Sequence, residues 1–180
     1  EAAKQMLADA GVTGLDLRIL TLAERRPHNP DPRRMADMIA ADLGEIGVNA
    51  SVVVADSLGS FLRQSIAVDR DGAVLFGWTS DNGDLGDYLA LLASCDAVGA
   101  SNRAQWCFAP FDEALARANA APDATARAAA LSDAQQMLVL HQPVTALAHT
   151  VVSLPHVKAV TGLRADPLGR TIFDGVDIAD

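Results

Sequence analysis

The polar side chains best suited to hold a charged ligand are concentrated in segment 77–84, which reads Gly-Trp-Thr-Ser-Asp-Asn-Gly-Asp. An apolar run at 73–76 precedes it and predicts a buried strand that ends at this polar segment. Ligands of open α/β sheets bind outside the carboxyl ends of the strands, so Trp78 beside Asp81 and Asp84 predicts a ligand site. Because carboxylates attract positive charge, the expected ligand group is a cation such as an amine.

Three other interpretations of this segment stay open. Asp and Asn after a strand commonly cap the next helix, here the amphipathic run at 87–92. Carboxylates near a glycine can also form a calcium loop, although Gly83 breaks the EF-hand pattern at the third position from Asp81. Asp81 and Asp84 could also act as an acid/base pair, as two carboxylates do in glycosidases, although no further base or nucleophile favours that interpretation.

The first half of the chain predicts a β-α-β unit. Residues 15–22 alternate apolar and polar at period two, as a strand does. Asp31 is a good N-cap and Pro32 suits the first helical position, so a helix is expected to begin there and to end at Gly47. The apolar run at 48–54 predicts a second strand, reached by a right-handed crossover. The helix between the strands should bury one apolar face, formed by Met35, Met38, Ile39, Leu43 and Ile46.

Arg26 lies at a strand-to-helix junction, the same kind of position as Asp81. A guanidinium there can present a planar fork to a carboxylate, reinforced by the positive end of the following helix. A solvated loop arginine is the ordinary alternative. His28 in the same loop is open to two interpretations, as a pocket wall or as a surface histidine.

The remaining periodic runs complete an α/β pattern. Helices are predicted at 2–10, 58–66, 85–92, 108–118 and from 124 to Pro143, and a further strand at 144–152. The helix-rich segments are expected to cover one face of the sheet. The stretch 166–176 reads as turn and short strand without an obvious partner.

Composition limits the classes of function. The chain has 180 residues, half of them apolar, which suffices for one core or for one lobe of a larger protein. Its net charge of -9 disfavours nucleic acid and anionic membrane surfaces as partners. No apolar run is long enough to insert into a bilayer, and the dispersed histidines predict no metal site. The chain opens directly into a helix, which is expected if it begins partway through a longer protein.

Cys95 and Cys107 bracket a short polar loop. A disulfide that closes this loop and a pair of free buried thiols are both compatible with the residues alone. Neither the redox Cys-x-x-Cys spacing nor a Cys/His metal spacing is present.

Several blocks of sequence together resemble the family 5 extracellular solute-binding proteins, and most closely the dipeptide-binding proteins of bacterial ABC importers. They follow one another in the same order over nearly the whole chain, at 26–30 with 33–36, 77–84, 94–95, 101–102 with 106–107, and 166–169. The resemblance implies a class II periplasmic-binding-protein-like lobe with a mixed, mainly parallel sheet flanked by helices. Residues 1–180 would form a single carboxyl-side lobe, with about 164–180 returning towards the missing amino-side lobe.

The resemblance also implies a function without catalysis or cofactor. The family's proteins are two-lobed receptors of the periplasm or cell surface, which close over a ligand at a hinge and deliver it to an ABC transporter permease. The cysteine pair matches a family disulfide, which implies a bond between Cys95 and Cys107. Dipeptides or short peptides are the expected ligands. Haem, aminolevulinate and longer peptides are the alternatives, because relatives bind them.

Individual positions match the family's ligand contacts. Asp81 matches the aspartate that pairs with the peptide's α-ammonium, and Arg26 matches the arginine that pairs with its α-carboxylate. Trp78 and His28 would line the pocket. Ser80 stands where close relatives often have glycine, so its hydroxymethyl group is expected to narrow the pocket or to change its hydrogen bonds.

Overall fold

The computed structural model describes residues 1–149, 151 and 153–179. Its helices are α1 (Ala2–Asp9), α2 (Pro32–Glu45), α3 (Leu58–Ile66), α4 (Leu85–Ala93), α5 (Ala109–Asn119) and α6 (Ala124–His141), with a 3₁₀ turn at Cys95–Ala97. Its strands are β1 (Asp16–Leu22), β2 (Asn49–Ala55), β3 (Ala73–Val74), β4 (Val160–Thr161), β5 (Arg164–Ala165), β6 (Thr171–Ile172) and β7 (Asp177–Ile178). None of the described helices combines the length and the apolar character that a bilayer span requires.

The predicted β-α-β unit is confirmed. Strands β2, β1 and β3 form a parallel sheet in that order, and β1 and β2 are paired from Asp16↔Asn49 to Leu22↔Ala55. A parallel pair needs a crossover connection, which α2 provides. The apolar run before segment 77–84 forms only two residues of strand, and the Leu75 N–H then donates to the Leu20 carbonyl at 2.9 Å.

Helix α2 begins as its sequence predicts. The Asp31 carboxylate accepts a hydrogen bond from the Arg34 N–H at 3.1 Å, and Pro32 occupies the first turn. Ala36 is fully buried, but Met38, which was expected on the buried face, is 60% exposed. The prediction for Met38 was wrong because the covered side of the helix is centred on Pro32 and Ala36, and Met38 lies outside it.

Most of the buried apolar side chains among the described residues belong to two separate clusters. One joins the sheet to α3 through Leu20, Leu22, Ala55 and Phe61. The other is built by α4, α5 and α6, with Phe111, Ala114 and Ala134 completely buried. The expectation that the helix-rich segments cover one face of the sheet holds for α3. It was wrong for α4, α5 and α6, because their apolar faces pack on one another instead.

The carboxyl-terminal part also differs from its prediction. Residues 144–149 and 151 form no strand, and residues 150 and 152 lie outside the described residues. Leu147 and Val151 are exposed, and no strand among the described residues pairs with this apolar run. The stretch 166–176 does find a partner, because its strand β6 pairs with β5 in antiparallel orientation. Strands β4 and β7, which lie on either side of this hairpin in the sequence, form a second antiparallel pair.

Candidate functional site

A cavity of about 360 Å³ lies where β1 and β3 end. Leu22 at the end of β1 and Leu75 after β3 form part of its wall, and Phe61 of α3 contributes from the side. Four of the predicted site residues line it, namely Arg26, His28, Trp78 and Asp81. The fold thus brings the cationic loop after β1 and the acidic loop after β3 onto one cavity.

Arg26 is positioned by a tight backbone turn. Its N–H donates to the Asn29 carbonyl at 2.9 Å, and the Asn29 N–H donates back to the Arg26 carbonyl at 3.0 Å. Asn29 is buried, and its side-chain oxygen accepts a hydrogen bond from the Asp31 N–H at 3.2 Å, so the turn is anchored to the start of α2. Arg26 itself is half-buried and forms no ion pair with a described residue.

His28 packs directly against Gly77. A Cβ atom added at Gly77 would lie 2.2 Å from Cδ2 of His28, so this close approach requires glycine. Burial, followed by the charge of Arg26, lowers the pKa of His28 below its usual 6.5. The sequence alone predicts no role for Gly77, because its contact with His28 joins two loops that are distant in sequence.

Aromatic rings continue the wall between the two loops. The rings of Phe61 and Phe76 are stacked with centroids 6.0 Å apart, and those of Phe76 and Trp78 are tilted at the same separation. The guanidinium carbon of Arg103 lies 4.0 Å from the centre of the Phe76 ring, within the range of a cation–π interaction. Burial lowers the pKa of Arg103. No signal in the sequence pointed to Arg103.

The loop that carries Asp81 is held by its own side chains. Ser80 Oγ accepts a hydrogen bond from the Gly83 N–H at 2.9 Å, and Asn82 Oδ1 accepts one from the Asp84 N–H at 2.8 Å. Asp84 caps α4 by accepting from the Asp87 N–H at 3.0 Å. The capping interpretation therefore holds for Asp84.

The two carboxylates of this loop have different surroundings. Asp84 accepts two hydrogen bonds from Arg127, at 2.9 and 2.8 Å, and its pKa is lowered first by the Asp87 N–H and then by Arg127. An ionised carboxylate that is engaged in this way is a poor acid or base. Asp81 is exposed and has neither a hydrogen bond nor an ion pair among the side-chain contacts of the described residues, so its oxygens can accept from a ligand.

Ser80 does not line the first cavity. It lines a neighbouring cavity of about 530 Å³, in whose wall Trp78 and Asp81 also take part. Among the described residues, no group of three or more His, Cys, Asp or Glu side chains is arranged to hold a metal ion.

Cys95 and Cys107 form a disulfide, as the resemblance implied. The bond joins the end of α4 to the start of α5 and closes the loop that carries Arg103. Inside this loop the buried Asn102 side chain donates to the Ser94 and Trp106 carbonyls, at 3.0 and 2.7 Å. The loop is thus fixed both covalently and by hydrogen bonds.

Known proteins match almost the whole chain in sequence. The dipeptide-binding protein of Pseudomonas aeruginosa is 36% identical over 175 residues, which are 97% of this chain and 32% of that protein. Heme-binding protein A of Haemophilus influenzae is 32% identical over 179 residues, which are 99% of this chain and 32% of that protein. No protein-family model matches the chain.

Solved structures match it as well. HbpA2 from Haemophilus parasuis gives a TM-score of 0.88 at 33% identity, over 99% of this chain and 35% of that one. A dipeptide-binding protein from Pseudoalteromonas sp. SM9913, in complex with Met-Leu, gives a TM-score of 0.82 at 29% identity, over 98% of this chain and 35% of that one. This chain is homologous to one segment of the dipeptide-binding proteins.

The homology to dipeptide-binding proteins confirms the resemblance to family 5 solute-binding proteins of ABC transporters, and with it the α/β lobe that the resemblance implied. The chain spans about a third of the length of the dipeptide-binding proteins and other relatives that it matches. These relatives are named as binding proteins and not as enzymes.

Proposed function

We propose that this chain is the ligand-binding lobe of a two-lobed receptor that binds dipeptides or short peptides for an ABC importer. In this proposal Asp81 accepts hydrogen bonds from the ligand's α-ammonium, and Arg26 donates to its α-carboxylate. The observation that carries the proposal is that both side chains line one cavity and that neither forms an ion pair with a described residue.

Electrostatics favours a small zwitterion as the ligand. Taking two opposite charges out of water is costly unless each one meets a partner. Asp81 and Arg26 provide one partner for each charge, and each charge-assisted hydrogen bond contributes about 1.5 to 3 kcal/mol. A longer peptide moves its carboxylate beyond Arg26, so affinity should fall with each added residue.

The remaining wall favours loose selectivity for side chains. Phe61, Phe76 and Trp78 offer apolar and aromatic surface, which many side chains can contact. Ordered water can fill the space that a small side chain leaves. Discrimination would therefore depend mainly on the two ends of the ligand.

The same proposal predicts the protein's location and its partners. The receptor would work in the periplasm or at the cell surface, deliver its ligand to a permease, and carry out no catalysis. Residues 1–180 would form one lobe, with about 164–180 returning towards the amino-side lobe. Closure of the two lobes would take the ligand out of water, and this strengthens both charge pairs.

Isothermal titration of the two-lobed protein tests the ligand class. Ala-Ala should bind more tightly than Ala-Ala-Ala, and acetylation of the amino end or amidation of the carboxyl end should each weaken binding. Haem and aminolevulinate are titrated in parallel, because a haem-binding relative matches the chain. Tight binding of haem with no binding of any peptide would overturn the proposal.

Substitutions then test the two residues. Asp81→Asn and Arg26→Gln should each weaken Ala-Ala binding by roughly 10-fold to 150-fold, the equivalent of the hydrogen-bond energies above. Asp81→Asn should add little further loss with the acetylated peptide. Arg25→Gln and Asp69→Asn are matched controls, because neither residue lines the cavity. Wild-type affinity in both site variants would reject the proposed roles.

A further inference from the structure

The second cavity adjoins the proposed peptide site. Its volume is about 530 Å³, and it shares Trp78 and Asp81 with the first cavity. Its other walls come from the start and outer side of α4 and from the loop that the disulfide closes. A ligand held at Asp81 would therefore lie at the boundary between two open volumes.

The covalent structure of a dipeptide decides which part of it faces the second volume. This step rests on the proposed function, with the α-ammonium at Asp81 and the carboxylate at Arg26. The peptide chain then runs through the first cavity, towards Arg26. The first side chain leaves from the same carbon as the ammonium, so it starts beside Asp81, which also lines the second cavity.

The walls of the second cavity favour positive charge. Asp81, Asp87 and Asp96 line it, and none of the described residues that line it is Lys, Arg or His. Asp87 accepts a hydrogen bond from the Asn82 side chain, whereas Asp96 is exposed and has no side-chain hydrogen bond or ion pair with a described residue. Asp96 also follows Cys95 directly, so the disulfide fixes the backbone that carries it.

Apolar surface beside these carboxylates fits the rest of such a side chain. Ala90, Leu91 and the Trp78 ring line the same cavity. Lysine and arginine bury their methylene stems on apolar surface while the charged end reaches water or a carboxylate. We propose that the second cavity is the subsite for the ligand's first side chain, that it prefers lysine or arginine there, and that Asp96 determines this preference.

Dipeptides of defined sequence test the subsite in the two-lobed protein. Lys-Ala should bind about 2-fold to 5-fold more tightly than Met-Ala, a gain typical of a partly exposed charge pair. Ala-Lys should show no such gain over Ala-Met, because its cation is on the second residue. Asp96→Asn should abolish the advantage of Lys-Ala and leave Ala-Ala binding unchanged, whereas Asp69→Asn should preserve the advantage.

A second variant tests whether the ligand's side chain occupies the second cavity, and not only whether it responds to the charge of Asp96. Ala100→Lys places a long cation in the wall of the second cavity, so it should weaken Lys-Ala and Met-Ala more than Gly-Ala. Equal affinities for Lys-Ala and Met-Ala in the wild type would overturn the preference, and an equal effect of Ala100→Lys on all three would overturn the subsite. If Ala-Ala still requires Asp81 and Arg26 in that case, the proposed function stands. If no dipeptide binds, both proposals fail.

Discussion

Arg127 of α6 donates from a single guanidinium nitrogen to both carboxylate oxygens of Asp84, at 2.9 and 2.8 Å. Asp84 also caps α4, so the polar loop after β3 is fastened at its end to two helices of the second apolar cluster. Gly86 lies beneath this pair, and a Cβ there would be 3.0 Å from the Arg127 nitrogen. The helical cluster thus fixes the end of the loop that carries Asp81.

Arg127→Met should therefore weaken both folding and ligand binding. The loss of an ion pair that is about two-thirds buried should lower the free energy of unfolding by about 1 to 2 kcal/mol. The freed loop should weaken Ala-Ala binding several-fold, as measured by titration calorimetry. Arg117→Met removes the exposed Arg117–Asp133 pair between α5 and α6 and should cost under about 0.5 kcal/mol without altering affinity. Equal effects of Arg127→Met and Arg117→Met would contradict the proposal that Arg127 holds the end of the Asp81 loop in place.

Gly77→Ala should disturb the ligand wall through His28. The new methyl group would lie 2.2 Å from the His28 ring, so that ring has to move out of its place beside Arg26. We expect Ala-Ala affinity to fall about 10-fold and the free energy of unfolding to fall by about 1 to 3 kcal/mol, the range for overpacking.

Two further variants separate this contact from a backbone effect. Gly44→Ala, in α2, meets nothing within 4 Å and should raise stability slightly. Gly77→Ala combined with His28→Ala should recover part of the loss, which a double-mutant cycle measures. A double variant no better than Gly77→Ala alone would show that the contact is not the cause.

Arg103→Met should loosen the Phe76 ring. The cation–π interaction contributes about 0.5 to 2 kcal/mol. Nε of Arg103, which is buried without a hydrogen-bond partner among the described residues, offsets part of this contribution. Dipeptide affinity should fall about 2-fold to 5-fold, since Phe76 lines the cavity. Arg103→Lys keeps the charge and should retain most of the affinity. Wild-type affinity in Arg103→Met would show that Arg103 does not support ligand binding.

The protonation of His28 should make folding sensitive to mild acid. Burial and the neighbouring Arg26 lower its pKa in the folded protein, so below pH 6.5 the unfolded chain binds more protons at this position. Stability is unaffected by His28 above pH 6.5, and it falls as the pH drops through 6.5 towards the folded pKa. His28→Gln should reduce the decline in melting temperature between pH 7 and pH 5. His156→Gln, at an exposed histidine outside the cavity, is the control.

Local chemistry made part of this molecule predictable. The N-cap at Asp31, the helix stop near Gly47 and the parallel pairing of β1 with β2 depend on neighbouring residues and on a short crossover. The roles of Asp81 and Asp84 could not be separated in advance, because both are acidic loop residues before a helix. The cap that Asp84 provides to α4 and its ion pair with the distant Arg127 distinguish them.

Contacts between distant segments account for the errors. The run at 144–152 has the composition of a strand, but a strand forms only where a neighbour supplies hydrogen bonds. The role of Arg103 could not be predicted, because it depends on contact with Phe76, which lies in a different loop. The cysteine pairing was equally undecided on the residues alone, and the family resemblance decided it.

The disulfide has a practical consequence for anyone who prepares this protein. It closes the loop that holds both Arg103, above the aromatic wall, and Asp96, beside the second cavity. Under the proposed function, formation of this disulfide should therefore support ligand recognition as well as stability. Material purified in dithiothreitol would understate the affinity for peptides and blur the differences among them, so the oxidation state should be verified before any titration is interpreted.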